Sequence, residues 1–345
     1  MDFFAGANTK DGFVSIFDKA FKDVERLYII KGSCGCGKST FMRRVADTAE
    51  EKGFSANRIY CSGDPDSLDG VTVPELGFGV CDGTAPHTVD VRYPAVRESL
   101  VDLGEFWHGE RLLPHRERII ALTDEKAKKY SSAYSSLSAA GKLREVCDGL
   151  ELPFVDAPGV KRLAKKAFSR VCGNGDGGRE TVFASAFTPK GFTVLDTFGK
   201  AETVIKVSGP RSACDIFIDH LCEIALGNGV PHTVSLCATD PQKADSVFFH
   251  KSGTLVTALT KAPCASYGRQ KRTDLSRFAD KEGLSEVKGR IALLKKLIAG
   301  CEKQALTDLR AASEIHKELE AIYIPAMDFG SLNGYALSFI KKLFC

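Results

Sequence analysis

Nine residues near one end of the chain carry its most specific chemistry: Gly32-Ser33-Cys34-Gly35-Cys36-Gly37-Lys38-Ser39-Thr40. They fit the pattern G-x-x-x-x-G-K-[ST]. In this pattern glycines let successive backbone N–H groups converge on one concavity, and the N-terminus of a following helix adds a favourable potential for phosphate. Lys38 is then expected to neutralise the terminal phosphates of a nucleoside triphosphate, and Ser39 to ligate Mg2+. The pattern has meaning only between a strand and a helix, and both flanks are present. Leu27-Tyr28-Ile29-Ile30 is a compact apolar run suited to a buried parallel strand. Phe41, Val45 and Ala49, widened by Met42 and Ala46, recur at helical spacing up to a stop at Gly53.

Acids follow where such a loop needs them. Arg58-Ile59-Tyr60-Cys61 reads as a strand that opens into Gly63-Asp64-Pro65-Asp66-Ser67-Leu68-Asp69-Gly70, a polar loop at the carboxyl edge of the sheet. Leu76 to Cys81 reads as a further core strand and delivers Asp82 at its end. A carboxylate in that position holds Mg2+ through water, so Asp82 is the leading metal-organising acid, with Asp64 and Asp66 its rivals. His87 follows in the next loop, and one of Asp64, Asp66 or His87 is expected to orient an attacking water. The plain alternatives are turn-capping acids and a loop histidine without chemistry. ATP and Mg2+ are the expected ligands; no Asn-Lys-x-Asp run supports guanine.

The rest of the composition narrows the class. The 345 residues suffice for two ordinary domains, and 43% apolar with 26% charged residues suits a soluble globular protein. A formal charge of +3 does not support nucleic acid as a partner. No apolar stretch approaches the ~18 residues of a transmembrane helix, and the Met1-Asp2-Phe3-Phe4 start lacks the features of a signal peptide, so the expected location is the cytoplasm. The twelve cysteines read as reduced thiols rather than a disulfide framework. Cys34 and Cys36 could ligate zinc, but no matching Cys-x-x-Cys accompanies them. Nearby N–H groups and Lys38 would favour their thiolates, making the loop sensitive to thiol reagents.

Downstream of Val101 the texture turns helical. Arg116 to Ala140 carries a long amphipathic pattern, and Phe106-Trp107-His108 precedes it, with Trp107 a docking aromatic or an adenine-stacking ring. Val160, Leu163, Ala164, Ala167, Phe168 and Val171 then alternate with Lys161, Arg162, Lys165, Lys166 and Arg170 in a basic amphipathic helix, followed by a glycine-rich linker. Arg92, Arg97, Arg111 and Arg116 are available to clamp an acceptor phosphate.

Beyond the linker the chain begins again. Phe4-Ala5-Gly6 is echoed by Phe183-Ala184-Ser185, Cys61-Ser62-Gly63-Asp64-Pro65 by Cys237-Ala238-Thr239-Asp240-Pro241, and Asp102-Leu103 by Asp274-Leu275. Arg118-Ile119 and Arg290-Ile291 share with that last pair an offset of 172 residues, as do Ala139-Ala140 and Ala311-Ala312. Ordered echoes mean duplication. The second copy reads Gly209-Pro210-Arg211-Ser212-Ala213-Cys214-Asp215 at the phosphate-loop position, without the lysine, and Pro210 removes an N–H. It is expected to bind no triphosphate and to serve as a scaffold, a regulator or the donor of a residue such as Arg211 across the interface. The expected fold is α/β: duplicated P-loop NTPase-like three-layer α/β/α domains with helical arms. Residues 1–148 form the active domain, 149–180 the basic helix and linker, and 181–345 the degenerate domain.

Over almost its whole length the chain resembles a poorly characterised family of bacterial tandem P-loop proteins described as ATPase or nucleotide kinase-like. The resemblance rests on Phe4-Ala5-Gly6, Gly32 to Thr40, Cys61 to Gly70, Asp82 to His87 and Tyr323 to Phe329. It implies nucleotide binding; proteins of that family commonly keep two phosphate loops, and this sequence departs from them in its second half. Slow Mg-dependent ATP hydrolysis coupled to an unidentified protein or small-molecule partner is the leading expectation. A nucleotide or small-molecule kinase and an ATP-controlled interaction protein are the alternatives.

Overall fold

Along the strand Arg26–Lys31, Leu27 and Ile29 enter one apolar cluster while Ile30 and the half-buried Tyr28 enter another. This period-2 alternation of apolar side chains fits a strand covered on both faces. The computed structural model describes residues 1–85, 88–171, 175–259 and 268–344. His87, part of the glycine-rich linker and the stretch 260–267 therefore lie outside the described residues.

The first half contains β1 (Asp2–Phe4), β2 (Gly6–Thr9), β3 (Gly12–Ser15), α1 (Phe17–Ala20), β4 (Arg26–Lys31), α2 (Lys38–Glu51), β5 (Asn57–Tyr60), β6 (Leu68–Val73), β7 (Phe78–Asp82), β8 (Glu98–Asp102), α3 (Gly109–Leu112), α4 (Arg116–Glu151) and α5 (Ala157–Val171). The second half repeats the series as β9 (Arg179–Val182), β10 (Ser185–Thr188), β11 (Gly191–Val194), β12 (Thr203–Ser208), α6 (Arg211–Gly227), β13 (His232–Leu236), β14 (Ala244–Phe249), β15 (Thr254–Thr257), β16 (Arg269–Asp274), α7 (Lys281–Tyr323) and α8 (Phe329–Leu343). One six-stranded sheet runs β1-β5-β6-β7-β4-β8 and the other β9-β13-β14-β15-β12-β16, the same order strand for strand. The pairing senses also agree. In each sheet the third strand in this spatial order is antiparallel to both neighbours, and the other pairs are parallel. Two similar mixed sheets with helices and arms make a duplicated α/β/α-like architecture.

The halves are joined by exchange. The segment after α4 pairs with the segment after β16, Asp156 N–H to Phe278 O at 2.7 Å and Asp280 N–H to Phe154 O at 2.8 Å. The segment after α7 makes the matching pair with the segment after β8, His108 N–H to Ala326 O at 2.8 Å and Asp328 N–H to Phe106 O at 2.8 Å. The next helices are exchanged in the same way. The apolar side of α5 (Val160, Ala164, Phe168) enters the core that holds Phe217 and Phe249 of the second half, and its five basic side chains stay exposed. Helix α8 places Leu332, Ala336 and Ile340 in the core of α2 and the first sheet, with Phe339 edge-on to Tyr28 at 5.0 Å. The basic helix is thus a packed layer of the second half.

Helices α4 and α7, of 36 and 43 residues, lie antiparallel as one paired arm. Arg118–Glu318 at 2.6 Å, Ser132 to Asp308 at 2.9 Å and an Arg144–Glu302 pair fix their register. Helix α4 runs beyond the Arg116 to Ala140 expected from the hydrophobic pattern, because it continues to the exchanged segment. No helix among the described residues is long and apolar enough to cross a membrane.

Candidate functional site

The glycine loop sits where β4 meets α2. Gly35 (φ 71°) and Gly37 (φ 85°) adopt left-handed backbone, and Gly37 directly precedes the first turn of α2. That conformation is inexpensive only for glycine. Lys38 folds back over the loop, and its Nζ donates to Gly32 O at 3.1 Å and Ser33 O at 2.9 Å. Ser39 Oγ accepts the Leu68 N–H at 3.0 Å, which pins the start of α2 to β6. Thr40 and Ser33 line the same cavity.

Cys36 is fully buried, and a Cβ on Gly32 would stand 2.5 Å from its sulfur, so this thiol fills the space between the limbs of the loop. Cys34 packs against Leu122, Ile315 and Leu319 of the two arm helices. Burial pushes both thiols up, outweighing the opposing effect of Lys38. The expectation of a thiolate-prone loop is therefore corrected: these are packing thiols. All nine described cysteines are free.

Asp82 ends β7 with one oxygen 3.6 Å from Lys38 Nζ; the other accepts Thr84 N–H at 2.8 Å and Thr84 O–H at 2.6 Å. Lys38 and Asp82 are both largely buried, so their attraction is poorly screened. The rival acids are engaged differently. Asp64 folds its own turn, accepting from Asp66 N–H at 3.2 Å and Ser67 O–H at 2.6 Å. Asp66 is exposed and pairs with Lys190 from the β10–β11 hairpin of the other half. So the second half does reach across, through Lys190, while Arg211, a candidate donor or else a packing arginine, stays within its own half beside Cys237 and Asp215.

Three groups of residues at the site were missed in the sequence. Asp69 falls in a stretch whose sequence suggests a polar loop, yet Leu68–Val73 is a fully buried strand and Asp69 lines the cavity from it. The β-branched run Val71-Thr72-Val73 was the available signal. The arm supplies the other two groups. Lys126, Tyr130 and Tyr134 come from α4, and His316, Glu320 and Tyr323 from α7, each set spaced along one helical face. Lys126 Nζ lies 3.5 Å from His316 Nδ1, and His316 Nε2 lies 3.6 Å from Glu320 Oε1. Burial, followed by the charges of Lys126 and Lys38, pushes His316 down to about 4. Burial and then the charge of Asp64 raise the Glu320 carboxyl. Tyr134 O–H donates to Asn8 Oδ1 at 3.1 Å, and Asn8 Nδ2 donates to Phe187 O at 2.8 Å, linking arm and both hairpins. Trp107 also lines the cavity and packs on Tyr323 at 5.4 Å.

The cavity bounded by loop, acids and arm measures about 1670 Å3. The arginine in its lining is Arg43. Arg97 is bound to Glu98 and Phe21 O, and Arg111 to Pro325 O, so the arginines proposed as acceptor clamps are not gathered there.

The corresponding place in the second half is filled by the chain itself. Gly209 and Pro210 lead directly into α6, with no intervening loop. The buried Glu151 carboxylate, from the end of α4, accepts from Ser212 N–H at 3.4 Å and Ser212 O–H at 3.3 Å. Lys243 pairs with Asp148 at 2.7 Å and Asp215 at 2.8 Å, and Arg211 approaches Asp215 at 3.8 Å. Each cation already has a carboxylate from this protein, and the helix N-terminus already holds an anion.

Among the described residues no group of three or more His, Cys, Asp or Glu side chains is arranged to hold a metal ion by itself. A magnesium ion of the kind bound with nucleotide takes most of its ligands from phosphate and water. Ser39 Oγ, whose hydroxyl retains acceptor capacity after the Leu68 contact, and the buried Asp82 fit that donor set. No protein-family model, curated protein or solved structure matches the chain.

Proposed function

We propose that the first half binds one Mg-ATP in a P-loop NTPase-like manner and hydrolyses it slowly, and that the second half is a catalytically silent scaffold. The observation that carries this reading is the folded-back Lys38, held by Gly32 O and Ser33 O and 3.6 Å from Asp82, at the first turn of a helix with open backbone N–H groups. Phosphate oxygens are stronger partners for an ammonium than backbone carbonyls, so Lys38 is poised to exchange them. Ser39 and Asp82 would hold Mg2+, which shields phosphate charge and so eases displacement at the γ-phosphorus. The free thiols fit a reducing compartment such as the cytoplasm.

A second reading has one observation in its favour. Ligand pockets commonly span about 300–1,000 Å3, and a cavity of about 1670 Å3 leaves room for an acceptor beside the nucleotide. Phosphoryl transfer to a hydroxyl compound is then the alternative to hydrolysis. Following ADP and inorganic phosphate together decides between them. Equal amounts mean hydrolysis, and ADP in excess of phosphate with an added acceptor means transfer. No ADP from either arrangement removes both and leaves an ATP-controlled interaction protein.

A further inference from the structure

Two amino groups line the cavity, one from the loop and one from the arm. Lys38 belongs to the loop and is balanced in part by Asp82. Lys126 comes from α4, is half-buried, and lines the same cavity. Among the described residues no carboxylate lies within ion-pair distance of the Lys126 ammonium, and its hydrogen-bond partner is His316 Nδ1 at 3.5 Å. His316 offers no compensating charge, being held neutral at neutral pH. Burial and the charge of Lys38 both work against the Lys126 ammonium, which is held below the ordinary lysine range, with only partial relief from neighbours such as Glu320.

The second half shows that the fold does not require such an arrangement. There Lys243 is closed off by Asp148 and Asp215, and Arg211 approaches Asp215. Placing an uncompensated cation beside another in a half-buried cavity raises the energy of the empty site, and an anion between the two lowers it. The arm also touches the loop directly: a Cβ on Gly35 would meet Ile324 Cγ1 at 2.9 Å, and Cys34 packs on Leu122 and Leu319. Whatever lies between Lys38 and Lys126 would therefore tie the arm to the loop.

We infer that Lys126 is the second cationic wall of the site, gripping a phosphate-like oxyanion across the cavity from Lys38 and thereby coupling the arm to what the loop holds. The oxyanion is either the terminal phosphate of ATP or an anionic group on a second molecule placed against it. This inference rests on the reading that the loop binds ATP.

Calorimetry on the full chain separates the sources, using Mg-ATP, Mg-ADP, and inorganic phosphate titrated into ADP-saturated protein, with Lys126→Met and Lys126→Arg as variants. If the γ-phosphate is the anion, Lys126→Met weakens ATP by at least about tenfold and leaves ADP within about twofold. If a second molecule supplies it, both nucleotides hold within about twofold while phosphate binding to the ADP-loaded protein disappears. Either result supports the inference when Lys126→Arg restores the binding. Parent-like binding of ATP and phosphate by Lys126→Met overturns it alone, as does an equal loss of ATP and ADP. A clearly lowered melting temperature of nucleotide-free Lys126→Met also overturns it, since removing an unbalanced cation should not weaken the empty fold. A parent protein that binds neither nucleotide overturns the ATP reading and this inference together.

Discussion

Phe4 and Phe183 exchange both backbone hydrogen bonds, Phe4 N–H to Phe183 O at 2.9 Å and Phe183 N–H to Phe4 O at 3.1 Å. They are counterparts in the duplicated sequence, so the two halves meet residue on matching residue at this point. Both side chains are fully buried in one cluster that spans the halves. The pair joins the halves through one apolar cluster, and the exchanged helices α5 and α8 add further contact between them.

Stability of the first half should depend on α8, from the other end of the chain. Leu332 and Ile340 of α8 are buried against α2 and the first sheet. Leu332→Ala and Ile340→Ala should each cost roughly 2–4 kcal/mol in denaturant unfolding. Leu332 also lies under Gly37, so its truncation should weaken ATP binding as well. Losses below about 0.5 kcal/mol would remove α8 from the core.

The loop should not tolerate a side chain where it turns left-handed. Gly37 holds φ 85° and already has Leu332 at 3.3 Å from the Cβ position. Gly37→Ala adds strain of about 1–3 kcal/mol in the glycine loop, so under the proposed function ATP affinity should fall roughly tenfold or more. An alanine variant with parent-like affinity contradicts the cradle geometry.

Asp245 gives a pH prediction with a definite sign. It is buried on β14, accepts from Ser185 O–H at 3.4 Å, and burial pushes its carboxyl up to about 7 from 3.8. The folded state holds a proton between these values. This group therefore favours folding most below pH 3.8, and that contribution is lost as pH rises through about 7. Asp245→Asn should be more stable than the parent by roughly 2–4 kcal/mol at pH 8 and equal to it near pH 4. His316 has the opposite sign. Its value is lowered from 6.5 to about 4, so its contribution is present above 6.5 and lost as pH falls toward 4. The two windows overlap, so the difference between parent and Asn variant is the informative curve; a pH-independent difference contradicts the assignment.

The self-filled second site predicts a stability role for Glu151. Replacing its carboxylate by Glu151→Ala should cost about 1–2 kcal/mol, the scale of a lost helix cap. It should not create nucleotide binding, because α6 still lacks a preceding loop. Appearance of a second ATP site in this variant contradicts that account.

The loop and its flanks were legible because they are local: Gly32 to Ser39 must lie together whatever the rest of the chain does. Asp82 was legible for the same reason, as the residue ending a short apolar strand. The duplication was legible because offsets add up along a sequence. Lys126 and His316 were not, since a polar residue on a long helix looks solvated until its partner helix is known. Asp69 was hidden by the glycines and acids around it, which suggest a turn unless the following β-branched residues are weighted more heavily. The exchanged packing of α5 and α8 was equally invisible, because an amphipathic face does not name the surface that covers it. His87 lies outside the described residues.

Calorimetric titration of Mg-ATP into the parent protein and its Lys38→Ala variant reads directly whether the loop of the first half holds the nucleotide. One ATP per chain is expected for the parent, and loss of binding in the variant with the fold retained by circular dichroism. Two ATP molecules per chain, or parent-like binding by Lys38→Ala, would contradict the proposed function.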